Sequence, residues 1–481
     1  MDNKKNENFS EWYTEILQKA ELADIRYNVK GFVVVRPWAV MTMEYMYDIY
    51  EKELQDRGHQ PVWFPIVIPE SNFTLEASHV EGFTPEVFWI TEHGKGEKLE
   101  EKLALRPTSE TALYKMYSLW IQGLVDLPLK IYQRASVYRY ETKATRPFIR
   151  SREFFWIEAH DCFATKKEAV KQVKEDVETT EKIMHGEFCI PFICFQRPEW
   201  DKFAGAVNTY AADTLMPDGK IIQQPSTHLL GQNFSKPFNI TFQNENGEKD
   251  FVWQTCYGPA ISRIYASLIS CLGDDQGLRL PFKLAPVQVI VVPIYKEENK
   301  KEVLKYSNKI KKYLSKDYRV KIDDSSNTPG YKFNEWEMKG VPIRLEIGGR
   351  EQENNQVTVS VRTSKEKQTI NLIKLKKYIK LQSKEITETL KKEADENFDN
   401  KIHDAKTLEQ LKQEIDKGGF VRVPFCSIDM KGKECAEIIK AETSGDVRGV
   451  KFYNPEKPDK NEVCICCGKP AKHIVYIGKQ Y

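Results

Sequence analysis

The sequence predicts an α+β chain of three domains. Up to residue 282, amphipathic helical patterns are mixed with strands of the antiparallel kind. From 283 to 380, strand and helix patterns alternate in the order of a small α/β domain. From 381 to 481, a charged helix leads into a cysteine-bearing segment, which predicts a small α+β domain that relies on a metal ion. A chain of 481 residues is ample for several buried cores.

In chain order, Met43, Met46, Tyr50 and Leu54 recur at helical spacing, and Gly58 closes that helix. PVWFPIVIP (61–69) follows as an apolar strand interrupted at Pro65, a pattern of sheet edges and subunit contacts. The run RYETKATRPFIRSREFFWIEAH (139–160) reads as two strands. Side chains alternate along a strand, so Arg139 and Glu141 share one face of the first. Phe154, Trp156, Glu158 and His160 share one face of the second. Rings mixed with a carboxylate and an imidazole pack poorly as core and are too aromatic for idle surface. That face is expected to grip a ligand. Farther on, APVQVIVVPI (285–294) is a buried strand and residues 296–315 a Lys-rich helix with a solvated face. YRVKIDD, PIRLEIG and QVTVSVR supply further strands. Residues 376–415 read as charged helix, and VRVPFC as a last strand before the cysteines.

Charge and composition bound the function. Lys plus Arg total 72 against 70 Asp plus Glu, a net charge of +2, so any nucleic-acid contact would come from local patches. No apolar stretch approaches the ~20 residues that span a bilayer, and no signal or transit pattern is evident. A cytoplasmic protein with no membrane contact is expected. Five of the ten cysteines are scattered between 162 and 271, and five gather after residue 425, which fits reduced thiols plus one metal site.

Cys464 and Cys467 form C-x-x-C ahead of Gly468, a turn that aims two thiolates at one ion. Cys426 and Cys435 offer the other pair. Four thiolates leave no open position, so this would be structural Zn2+. Cys466 stands beside the motif, and spacing alone leaves open whether it replaces Cys467. For nucleotides, neither G-x-x-x-x-G-K-[ST] nor a Rossmann glycine fingerprint is present, so phosphates would have to be held by side chains. Arg139, Arg150 and Arg263 suit that task, because guanidinium forks match phosphate oxygens. Phe154 would stack on a base, with Arg263 on its other side.

Taken in order, SEWY, RPW, RPTSET, FIRSREFFWIEAH, LGQNFS, PGYKFNEWEMKGVPIRLEIG, VPFC, CGKPAK and the final Tyr481 carry a resemblance. Over nearly its whole length the chain resembles class II aminoacyl-tRNA synthetases, and among them prolyl-tRNA synthetases of the archaeal and eukaryotic-cytosolic type. The resemblance implies an antiparallel catalytic sheet flanked by helices, then an anticodon-binding domain and a zinc-binding domain. Motif 1, ending near Pro65, would build a homodimer interface. Motif 2 would be the 139–160 run, and motif 3 the segment around Gly258 and Arg263.

The implied substrates are L-proline, ATP with Mg2+, and tRNA(Pro). Arg139 would bridge the proline carboxylate and the α-phosphate, while Arg150 and Arg263 hold the outer phosphates. Glu141 would accept from the adenine amine or order the site, and both roles stay open. Gln223 and Ser226 complete the ATP side. Thr108 and Glu110 would hold the secondary ammonium, with Trp156, Glu158 and His160 around the ring and Ser226 and His228 closing the pocket. Only about sixty residues separate His160 from Gln223, so no editing domain in cis is expected.

The chain departs from the family wording at TCYGPAISR, at Leu272 in place of a common histidine, at Gly349 in place of a common proline, and in the wide Cys426–Cys435 spacing. Two other readings compete. One is a zinc hydrolase built on Glu158, His160, Cys162 and His228. The other is a non-catalytic paralogue that only binds tRNA or a partner protein.

Overall fold

The computed structural model describes residues 1–481 except 74, 76–85 and 365. Among the described residues, its main element is an eleven-stranded sheet. Glu153–Phe163 lies inside it, paired antiparallel to Leu129–Tyr138 on one side and to Trp253–Gly258 on the other. Beyond Trp253–Gly258 come Ile221–Gly231, Asn208–Leu215 and Ile193–Gln196, all antiparallel. The far edge past Leu129–Tyr138 is the short parallel strand Gln60–Pro61.

The strands sort their side chains by alternation. Ile157 and Ala159 face a core with Met43, Met46 and Ile264, contributed by the helices Pro37–Asp56 and Ile261–Leu272. The opposite face carries Cys162 and Cys256, which pack with Leu113, Tyr114 and Tyr117 of the Glu110–Trp120 helix. The Pro37–Asp56 helix buries Met43, Met46, Tyr50 and Leu54 as expected, and Gly58 turns the chain out of it at φ +89°.

Three expectations change. The 61–69 stretch is not one strand: only Gln60–Pro61 and Val67–Pro69 pair, and they join different sheets. Pro61 and Pro65 lack N–H groups, and the Phe64 amide is diverted to the Gln133 side chain at 3.1 Å. The first strand of the 139–160 run stops at Tyr138, so Arg139 and Glu141 lie past its end. The Arg139 amide still donates to Arg152 at 2.9 Å, but the Glu141 amide turns back to the Arg139 carbonyl at 2.7 Å and leaves the ladder. Finally, the charged 376–415 segment is a helix, Leu372–Asp399, then a strand, Ile402–Asp404, then a second helix, Leu408–Ile415, capped by Thr407.

A separate five-stranded sheet follows, ordered Val320–Ile322, Val289–Pro293, Ile343–Ile347, Gln356–Val361 and Lys367–Asn371. Its first three strands are parallel and its last two antiparallel, a mixed sheet within the small α/β domain that the alternating pattern predicts. The Leu372–Asp399 helix then runs back to the elements around the eleven-stranded sheet. His185 meets Asp395 at 2.8 Å there, and Arg279 donates to Glu393 at 2.6 Å.

The C-terminal strands do not form a detached sheet. Asp446–Lys451 pairs with Ile193–Gln196 through Val450↔Gln196 and Lys451↔Phe195. His473–Gly478, Phe420–Phe425 and Ile402–Asp404 extend the same sheet outward. Gly449 makes the junction possible: at φ +118°, a Cβ there would sit 2.0 Å from the Gln196 carbonyl oxygen. Among the described residues no helix is long and apolar enough to cross a membrane.

Candidate active site

The side chains of Phe154, Trp156, Glu158 and His160 on Glu153–Phe163 open into a cavity of about 240 Å³. Thr108, Glu110, Arg139, Phe154, Trp156, Glu158, His160, Gln223, Ser226, His228 and Arg263 all line it. Trp156 reaches its place because residue 258 is glycine; a Cβ there would stand 3.2 Å from the indole ring. The Trp156 Nε1–H is buried and has no hydrogen-bond partner among the described residues.

Below the rings the floor is polar and tightly tied. Ser109 Oγ donates to Glu158 at 2.5 Å and Gln133 Nε2 donates to the same oxygen at 2.8 Å. His160 Nε2 lies 3.1 Å from the other Glu158 oxygen. Thr108 Oγ1 donates to Glu110 at 2.5 Å. Burial opposes charge on His160, but the Glu158 hydrogen bond and the Glu110 charge outweigh it and raise its pKa. His228 goes the other way: burial pushes it down to about 4, so it is neutral at physiological pH. It is held between Thr209 at 2.9 Å and Ser226 at 3.0 Å.

Arg139, Phe154 and Arg263 also line a second cavity of about 120 Å³, together with Glu141 and Arg150. Thus the twelve ring, acid, hydroxyl and arginine positions expected around the small ligands, and Gln223 with them, surround two adjoining spaces. Arg139 sits 5.3 Å over the Phe154 ring and donates to the Pro107 carbonyl at 3.1 Å. Arg263 donates to the Gln223 carbonyl at 3.2 Å. Burial, then repulsion from Arg139 and Arg150, push the Arg263 guanidinium down to about 10. Positive charge gathered so densely among half-buried side chains calls for anions. Arg150 lies 3.5 Å from Glu141 and also donates to the main-chain oxygen of Tyr481.

Sequence reasoning missed several neighbours. Gln133 and Ser109 fix Glu158, and Phe203 covers His228 with ring centroids 4.6 Å apart. Ser109 was within reach, since it sits inside RPTSET; Phe203 carries no local signal. Arg197 lines the larger cavity, and its Nη2 donates to the Gln223 side chain at 3.3 Å. Its fork grips Asp213, which also binds Arg448 of the C-terminal strands.

Among the described residues, two groups of side chains have metal-ligating spacing. Cys426, Cys435, Cys464 and Cys467 bring four sulfurs within 4.8 Å of one another. Cys466 instead turns its thiol to the Cys435 carbonyl at 3.5 Å. The second group is Glu110, His160 and Cys256. The hydrolase set of Glu158, His160, Cys162 and His228 is not among them.

Comparison with known proteins agrees with this geometry. Family profiles match residues 88–271 (tRNA synthetase class II core domain, G, H, P, S and T), 288–382 (anticodon binding domain) and 408–481 (prolyl-tRNA synthetase, C-terminal). The chain is 51% identical to a proline–tRNA ligase of Thermofilum pendens, covering 99% of this chain and 98% of that one. Among solved structures it resembles Giardia lamblia prolyl-tRNA synthetase in complex with prolyl-adenylate, with a TM-score of 0.95, 36% identity and 99% of both chains covered. It also resembles the Cryptosporidium parvum prolyl-tRNA synthetase complexed with L-proline and AMP, with a TM-score of 0.92, 34% identity, and 100% and 96% covered. A class II core, an anticodon-binding domain and a prolyl-specific C-terminal domain, met in one chain and in that order, assign this protein to the prolyl-tRNA synthetase family of aminoacyl-tRNA ligases.

Proposed function

We propose that the chain activates L-proline with ATP to prolyl-adenylate and then charges the 3′ end of tRNA(Pro). The observation that carries the reading is the pair of adjoining cavities, one floored by acids and walled by rings, the other walled by guanidinium groups. A proline zwitterion spans that polarity. Glu110 and Thr108 take its ammonium, Trp156, Glu158 and His160 surround the ring, and Ser226 with His228 closes it in. Its carboxylate then points toward Arg139.

ATP lies on the guanidinium side with Mg2+ as its counter-ion. Phe154 and Gln223 contact the nucleotide, Arg150 and Arg263 hold the outer phosphates, and Glu141 serves the adenine amine or the order of the loop. A proline carboxylate oxygen attacks the α-phosphorus, the bond to the bridging oxygen breaks, and pyrophosphate leaves with the electron pair. The tRNA 3′-hydroxyl next attacks the activated carbonyl and AMP leaves. Two anions must meet, so fixed positive charge and positioning carry most of the rate. A ring pocket discriminates by roughly 1–3 kcal/mol per methylene, so alanine enters at times, and no editing domain in cis corrects it. Helix Lys166–Thr180 and short strands fill the interval from His160 to Gln223.

The same reading divides the chain into a catalytic domain (1–282), an anticodon-binding domain (283–380) and a zinc-binding domain (381–481) of a cytoplasmic homodimer. Exposed apolar side chains near motif 1 support the dimer: Trp63 is 89% and Val125 94% exposed, with Leu119 and Trp120 nearby in the chain. Four converging thiols fit tetrahedral Zn2+, which would brace the C-terminal domain and leave no position for catalysis.

The test is ATP–pyrophosphate exchange run separately with each amino acid. Exchange should depend on proline, and Arg139→Ala should lower it by orders of magnitude with unchanged circular dichroism. Exchange that ignores proline, or survives loss of Arg139, overturns the assignment.

A further inference from the structure

Glu110, His160 and Cys256 come from three elements: the Glu110–Trp120 helix, the Glu153–Phe163 strand and the Trp253–Gly258 strand. All three are buried, and all three line the larger cavity. His160 and Cys256 are direct cross-strand partners, which sets imidazole and thiol side by side on one face. One carboxylate oxygen, one ring nitrogen and the thiol sulfur lie within 4.8 Å of one another.

The surroundings match those of a metal-binding imidazole. Glu158 faces His160 Nε2 at 3.1 Å and is itself fixed by Ser109 and Gln133. A carboxylate there holds the proton on Nε2 and leaves the lone pair on Nδ1, whose neighbour is the Tyr114 hydroxyl at 3.1 Å. Carboxylate-oriented imidazoles of this kind are the usual companions of zinc ligands. Thr108 fixes the Glu110 carboxylate in turn. Three protein ligands with cavity on the fourth side make an open site, and a thiolate with an imidazole selects a soft cation over Mg2+.

We propose that Glu110, His160 and Cys256 bind a thiophilic divalent cation of the zinc class, and that its occupancy excludes proline from the cavity. The exclusion rests on the reading above that the cavity takes proline; the cation site itself does not. Glu110 cannot ligate a metal and hold a secondary ammonium together, so the two occupants compete. Cys256 is the residue that adds softness: with serine there, only hard or borderline ligands remain.

The experiment uses full-length enzyme with its four-cysteine site already loaded and free Zn2+ fixed by a metal buffer. Exchange is followed against proline concentration for the unaltered protein, Cys256→Ser and Cys256→Ala. The expected result is an apparent proline KM that rises with free Zn2+ at constant kcat. Either variant should need at least tenfold more Zn2+ for the same proportional rise, and Mg2+ should not substitute. In parallel, Co2+ is titrated without substrates. A second equivalent should give thiolate charge-transfer absorption that both variants lose and that proline displaces. Equal zinc sensitivity in the variants, inhibition that proline does not relieve, or no second equivalent each overturns the proposal. Exchange that does not depend on proline would refute the synthetase reading instead, while the substrate-free Co2+ titration would still decide the cation site.

Discussion

Asp213 holds the C-terminal strands to the catalytic sheet, and its removal has a calculable effect. Just two backbone pairs join Asp446–Lys451 to Ile193–Gln196. Beside them, the Asp213 carboxylate takes the Arg197 fork at 2.7 and 2.6 Å and the Arg448 fork at 2.8 and 3.2 Å. The side chain of Asp213 is 0% exposed, and those of Arg197 and Arg448 are each 1% exposed. Burial alone would raise the Asp213 pKa, but the two guanidinium charges outweigh it and hold it below the usual carboxylate range. Asp213→Asn keeps the shape and leaves the two buried cations with the longer ion pairs to Asp201, at 3.9 and 3.6 Å, in place of the Asp213 charge. Such uncompensated burial costs about 3–5 kcal/mol. At about 1.4 kcal/mol per factor of ten, the junction should open on the order of 10² to 10⁴ times more often. Arg448→Met should cost less, about 1.5–3 kcal/mol, because Asp213 keeps Arg197 and because Arg448 Nη1 has no hydrogen bond to lose. The double variant should cost less than the two singles added, since removing Arg448 removes one of the orphaned charges. Hydrogen exchange of the Asp446–Lys451 amides, read by mass spectrometry, measures this locally, where a global denaturation midpoint of a multidomain chain would not. Unchanged protection in Asp213→Asn, or a larger loss in Arg448→Met, would refute the reasoning.

Three other outcomes are expected. Burial, and after it the Asp161 charge, raise the Asp176 carboxyl to about 7, against ~3.9 in an unfolded chain. Between those values the folded protein keeps a proton that the unfolded chain has released, so stability should fall as pH rises from about 4 to about 7. Asp176→Asn should flatten thermal-inactivation curves across that window, and an unaltered pH slope would exclude Asp176 as the cause. Tyr481 places its main-chain oxygen on Arg150 and its hydroxyl 2.7 Å from Asp218. Deleting it should raise the KM for ATP by roughly tenfold, the equivalent of one hydrogen bond to a charged group, and an unchanged KM would show the contact to be idle. If the four thiols hold zinc as proposed, Cys464→Ser should abolish zinc binding and expose residues 408–481 to protease, whereas Cys466→Ser should do neither; the opposite result would exchange their roles.

The lining of the site was legible where chemistry follows a short period. Trp156, Glu158 and His160 lie two residues apart on a strand, so alternation alone puts them on one wall. Cys464 and Cys467 were legible for a similar reason, because a C-x-x-C turn constrains itself locally; Cys426 and Cys435 join them through the tertiary fold. Arg139 and Glu141 were misplaced on a strand because their position depends on one hydrogen bond, the Glu141 amide turning back to the Arg139 carbonyl. Nothing in the sequence joins Asp213 to Arg448, which stand 235 residues apart, and so the continuity of catalytic and C-terminal strands in one sheet was invisible. The roles of individual arginines were likewise beyond periodicity and came only from resemblance to a family.

In the proposed assignment, the distribution of charge makes recognition and activation use the same residues. Acids cluster at the floor of the larger cavity and guanidinium groups at its boundary with the smaller one, with Arg139 and Arg263 facing both. In the proposed assignment a zwitterionic amino acid has one orientation in which both of its charges are paired. Reversed, it would set ammonium against Arg139 and carboxylate against Glu110. A neutral analogue would forgo one of those two charge pairings, at a cost of about 1–3 kcal/mol or more. The favourable orientation is also the one that aims the carboxylate at the guanidinium wall, where the triphosphate must lie. Selection of the zwitterion and alignment for in-line attack are therefore one electrostatic event, so weakening the polarity at either end should lower affinity and rate together.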